Sequence, residues 1–119
     1  MIKHSSELPS HVVGFTCAGR ITRRDYETVL MPVIETALKR HEKVRLYYQI
    51  AQDFSHIEPG VSHDFDLGID HLMRWDRIAI VTNLDWFRET VRALSFLLPG
   101  HVELFTLDEE AEAREWVLA

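Results

Sequence analysis

Apolar positions along the chain fall into two patterns, short dense runs and longer stripes at helical spacing. Arg77-Ile78-Ala79-Ile80-Val81-Thr82 is a brief apolar run without period-two alternation, as expected of a strand covered on both faces. Asn83 and Asp85 follow with cap chemistry, and Phe87, Val91, Leu94 and Leu98 then recur at helical spacing. A buried strand running straight into a capped helix predicts an α/β fold.

The same reading extends in both directions. Ile2 to Ser6 is expected as a first edge strand, Leu8-Pro9-Ser10 as a turn, and His11 to Ala18 as a second strand. So short a connection implies an antiparallel hairpin, which Gly19 ends. Thr22 with Asp25 three residues later has the form of a capping box. Tyr26, Val29, Leu30, Val33, Ile34, Ala37 and Leu38 make one core-facing stripe, within which Pro32 predicts a kink or a break. Val44 to Ala51 is the third strand, and an irregular loop from Gln52 to Val61 leads to a helix capped by Ser62 with Phe65, Ile69, Leu72 and Met73 inward. Pro99-Gly100 ends the helix after the fourth strand, and His101 to Phe105 is the fifth strand. Asp108 starts a last helix with Ala113, Trp116 and Val117 packed inward. The order is β-β-α-β-α-β-α-β-α over one domain, residues 1–119, and helical crossovers make the five-stranded mixed sheet mainly parallel.

A formal charge of -6 disfavours a general nucleic-acid binder, which needs a basic face, and disfavours anionic membrane surfaces equally. Arg20, Arg23 and Arg24 cluster near one helix start and read as a solvated face. The single Cys17 cannot form an intramolecular disulfide, so packing alone must hold the fold. No cationic leader opens the chain and no apolar stretch approaches ~18 residues. A cytoplasmic protein without a transmembrane segment is expected.

The order of elements, the junction Gly19-Arg20-Ile21-Thr22-Arg23-Arg24-Asp25-Tyr26 and the run Arg77-Ile78-Ala79-Ile80-Val81 resemble the SpoIIAA-like branch of the STAS proteins. So does the tail Phe105-Thr106-Leu107-Asp108-Glu109-Glu110 with Ala113 and Trp116-Val117. The resemblance covers nearly the whole chain. It implies a STAS-like mixed sheet with packed helices, related in shape to lipid-carrying CRAL-TRIO domains. Anti-sigma-factor antagonists of this kind carry a phosphorylatable serine in an Asp-Ser-Ser-Gly turn after the third strand. Here the region reads Asp53-Phe54-Ser55-His56-Ile57-Glu58-Pro59-Gly60, without that turn, and Ser55 is the nearest candidate switch.

In open parallel sheets ligands bind beyond the carboxyl ends of the strands. That edge gathers Arg20, the Gln52 to His56 loop, Asn83 to Trp86 and Thr106-Leu107. Phe54, Trp86 and Phe87 could wall an apolar site there, with Asn83 and Arg20 as polar neighbours, and free helix N-termini would suit an anionic head group. His63, Asp66 and Asp70 share one helical face, but an exposed polar face opposite Phe65, Ile69 and Leu72 explains them without a metal. No nucleophile elbow, phosphate-cradling loop or acid/base carboxylate pair stands out, so no catalysis and no cofactor are expected. Two functions remain: a non-catalytic module holding a small apolar or amphipathic, lipid-like ligand, and a regulatory protein-interaction module. An edge strand such as Ile2 to Ser6 could also pair two copies into a homodimer.

Overall fold

The apolar runs become strands of one sheet in the computed structural model, which describes residues 1–5, 7–54, 56–57, 75–94 and 101–119, with backbone alone for His56, Ile57 and Leu94. The strands are β1 (Ile2–Ser5), β2 (Val12–Cys17), β3 (Arg20–Ile21), β4 (Val44–Ile50), β5 (His56–Ile57), β6 (Trp75–Thr82) and β7 (His101–Phe105). Among the described residues the main sheet has five strands in the order β1-β2-β4-β6-β7. β1 runs antiparallel to β2 as a hairpin, with Ile2 opposite Cys17, and every other pairing is parallel. The sheet is therefore mixed and mainly parallel, as expected. Sequence periodicity did not foresee the separate ribbon in which β3 pairs β5, Arg20 with His56 and Ile21 with Ile57.

Pro32 breaks its helix in an instructive way. A three-residue α1 (Arg23–Asp25) passes into a π-helical turn over Tyr26–Leu30 and then into α2 (Met31–Arg40). In the wide turn the Met31 N–H donates to the Tyr26 carbonyl, five residues back. That spacing relieves the clash between the proline ring and the preceding turn, and leaves Pro32 in the first turn of α2, where its missing N–H is tolerated. The predicted capping box is present: Asp25 N–H donates to Thr22 Oγ1 and Thr22 N–H to Asp25 Oδ2, each at 3.1 Å. The bond from Thr22 holds the Asp25 carboxyl below its ordinary range.

Each face of the sheet carries its own core. On one face Val13, Phe15, Cys17, Val44, Ile50, Ile78 and Ile80 pack with Leu30, Ile34, Ala37 and Leu38 of the first helical run and beneath α3 (Asp85–Leu94). On the other Val12, Tyr47, Ala79 and Val81 meet Ala113 and Val117 of α4 (Glu110–Leu118). Burial on both faces explains why β6 shows no alternation. Its strand begins at Trp75, two residues before the sequence pattern suggests, because the register shifts between Val44 and Arg45. Val44 faces Trp75 and Arg45 faces Arg77, which leaves Asp76 as the extra residue of a bulge, and Asp76 accepts from Arg45 Nε at 3.0 Å.

Register partners Arg45 and Arg77 also hold the end of α4. Arg45 donates to the Val117 and Ala119 carbonyls and Arg77 to the Trp116 carbonyl, at 2.9, 2.7 and 2.7 Å. The last carbonyls of a helix lack partners within it and carry partial negative charge, so two guanidinium groups are well matched to them. Arg77 further lies 5.2 Å from the centroid of the Trp116 ring. Arginines in an apolar strand were the available sequence signal for this clamp.

Cys17 is fully buried, and its Sγ donates to Tyr48 Oη at 3.1 Å. Burial pushes the thiol up to about 11, against a smaller opposing effect of the bond to Tyr48. Burial also raises Tyr48 well above the phenol range, with Cys17 acting in the same direction. Both groups hold their protons more tightly in the folded chain. The Cys17 contribution is complete below the ordinary thiol value of about 8.5 and is lost as pH rises through about 11. That of Tyr48 is complete below the ordinary phenol value of about 10 and is lost at higher pH. We expect the urea midpoint to fall between pH 8 and pH 11, with a smaller fall in Cys17→Ala. A thiol reagent at pH 7.5 should label Cys17 only after urea is added; rapid labelling of the native protein would contradict this burial.

Candidate functional site

Three connections meet at the carboxyl ends of β2, β4 and β6. After β2, Gly19 takes φ of 59°, a left-handed conformation that favours glycine, and its N–H donates to Asp53 Oδ1 at 3.3 Å. After β4, Ala51 N–H donates to the Cys17 carbonyl at 2.8 Å, and Phe54 N–H to the Ala51 carbonyl at 3.0 Å. The resulting tight turn folds the chain back on itself and leaves Phe54 buried. After β6, Thr82 Oγ1 accepts the Leu84 N–H at 3.1 Å and α3 begins at Asp85.

That geometry joins the three predicted aromatics. Phe54 and Trp86 stack with centroids 6.0 Å apart and planes 29° apart. Phe87 stands edge-on to both, 5.5 Å from Trp86 and 6.4 Å from Phe54. These are favoured separations, worth about 0.5–1.5 kcal/mol per pair beyond burial. Phe54 lies in the core and Phe87 packs against it, whereas Trp86 is 54% exposed. The other large hydrophobics exposed among the described residues are Met1 and Leu118. Trp86 thus presents a flat apolar face to solvent on a buried aromatic base.

The polar candidates fall differently. Asn83 is exposed, but its Oδ1 accepts the Leu107 N–H at 2.9 Å, tying the β6–α3 turn to the segment after β7 rather than capping α3. Arg20 is exposed on β3 and lies in the ribbon beside His56. Arg88, which the sequence did not single out, donates to the Thr82 and Phe105 carbonyls at 3.0 and 2.9 Å and pins two strand ends together. Its place on the turn after Trp86 and Phe87 was the one available signal. Ser55 and the residues His63, Asp64, Asp66, Asp70 and His71 lie outside the described residues.

One helix start at this rim is capped. Thr106 and Glu109 form a capping box, and the last helical run starts there as a 3-10 turn over Leu107–Glu109 rather than at Asp108. The Thr106 N–H holds the Glu109 carboxyl below its usual value. Asp85 occupies the first turn of α3, Asp53 follows β4, and Asp108 and Glu109 follow β7. Acidic side chains at these starts offset the positive end of the helix dipole, and Trp86 adds an exposed apolar stacking face. No group of three His, Cys, Asp or Glu among the described residues is placed to hold a metal ion, and no helix among them is long and apolar enough to cross a membrane.

These features define an α/β domain with a mixed sheet covered by helices on both faces. The SpoIIAA-like family profile matches residues 12–118, and the chain belongs to that family. A crystal structure of an uncharacterized protein of the DUF3478 family from Shewanella loihica PV-4, described as having a SpoIIAA-like fold, is similar to it with a TM-score of 0.76. The two share 22% identity over 98% of this chain and 93% of that one, a likeness of fold. No curated protein matches the sequence.

Proposed function

We propose that the protein is a non-catalytic binding module whose working surface is the aromatic rim, where Phe54, Trp86 and Phe87 hold a small apolar or amphipathic ligand. The observation that carries this reading is the half-exposed Trp86 stacked on buried Phe54. An exposed indole contributes little to folding, yet it offers a rigid apolar face with little conformational entropy left to lose on contact. Asn83 and Arg88 brace the loops beneath it, so the platform is preformed. Arg20, exposed on the ribbon that follows Gly19, is the proposed contact for a polar end of the ligand.

The same exposed indole suits a protein partner's side chain, which supports the regulatory reading with Ser55 as its switch. Native mass spectrometry of protein purified from its own cells separates the two. We expect a bound mass of a few hundred daltons that solvent extraction releases, and whose occupancy falls at least tenfold in Trp86→Ala. A tenfold loss corresponds to about 1.4 kcal/mol, within reach of one stacked aromatic. Retention of a polypeptide in place of a small mass would favour the regulatory reading.

A further inference from the structure

A concavity lies at the opposite end of the sheet, between the β1–β2 hairpin and α2, with a volume near 360 Å³. That falls within the ~300–1,000 Å³ range of small-molecule sites. Leu8, Val13 and Val33 contribute apolar walls, and His4, Ser5 and Arg40 contribute polar groups. Val13 is the second residue of β2 and Cys17 its last, so this hollow is roughly 13 Å from the rim along the strand, at ~3.3 Å per residue.

Its charge is unlike that of the chain as a whole. The described lining residues include one guanidinium and one imidazole and no carboxylate, on a protein of net charge -6. Arg40 is exposed at the last position of α2 and lines the hollow. Apolar walls with a single cation at the opening complement an aliphatic chain ending in one negative charge. We propose that this hollow binds a medium-chain aliphatic carboxylate, its tail against Leu8, Val13 and Val33 and its carboxylate on Arg40. The site is separate from the rim, where Trp86 presents its exposed apolar face.

Titration of isotope-labelled full-length protein with octanoate, followed by amide NMR, tests the proposal, with methyl octanoate as the uncharged control. Saturable shifts should centre on Val13, Val33 and Arg40. Arg40→Gln should weaken octanoate at least fivefold and leave methyl octanoate unchanged. Val33→Phe, which fills the hollow, should abolish the shifts, and Trp86→Ala should leave them intact. Absence of saturable shifts at these residues, or equal octanoate affinity in wild type and Arg40→Gln, would overturn it. Because Arg40 is exposed, that comparison stands even if Val33→Phe folds poorly. Shifts that vanish in Trp86→Ala would place the carboxylate at the rim and refute this site while supporting the other.

Discussion

Val81→Asp is expected to leave little folded protein at 25 °C. Val81 is fully buried in β6, paired by backbone to β4 and β7 and packed with Tyr47, Ala79, Ala113 and Val117. An aspartate there would either stay charged without water or take up a proton and still bury unpaired polar atoms. Either outcome costs about 4 kcal/mol or more. A domain of this size has roughly 5–15 kcal/mol in total, so the folded population should collapse. Circular dichroism and urea titration of the purified variant provide the measurement. A cooperative transition within 1 M of the wild-type midpoint would mean that this face of β6 is open to water.

Phe15→Ala is expected to be the most damaging truncation on the opposite face. Phe15 is fully buried in β2, between β1 and β4, with His4 and Tyr48 rings at 5.8 and 6.4 Å. Losing the ring removes its transfer free energy and leaves a cavity that two fixed strands cannot close, about 3–5 kcal/mol together. At roughly 4 °C per kcal/mol for a chain of this length, the thermal midpoint should drop by about 12–20 °C. A drop under 4 °C would show that β2 is not covered by the first helical run. The two variants probe separate cores, and a chain with a single covered face could not respond strongly to both.

How far this architecture was legible depends on the length of each signal. The β6–α3 junction, the Thr22–Asp25 box and the stripe from Tyr26 to Leu38 could be read because several residues repeat one physical message. The two-residue ribbon of Arg20–Ile21 with His56–Ile57 has no period to detect. The early start of β6 depends on a bulge at Asp76, a matter of register between strands far apart in sequence. Pro32 announced a break, but the π-helical turn that absorbs it is set by the backbone upstream.

At the rim, Phe54, Trp86 and Phe87 could be gathered by placing them all after strand ends. Their contacts could not be foreseen, because the Ala51–Phe54 turn decides whether Phe54 points inward. Asn83 was legible as a polar loop residue. Its bond to Leu107, 24 positions away, was not. At the start of the last helical run the Leu107 N–H is taken by Asn83 and the Thr106 N–H by Glu109, pairings between segments that sequence pattern does not reveal.

The indole resonances offer the most direct examination of the rim. Trp75 is buried, Trp116 lies against Arg77 and Phe105 on the far face of the sheet, and Trp86 faces solvent. In a titration with decanol, an uncharged amphiphile, the Trp86 indole N–H should shift saturably while those of Trp75 and Trp116 stay in place. Movement confined to Trp116, or an unmoved Trp86 at saturating decanol, would contradict a working surface built from the carboxyl ends of the parallel strands.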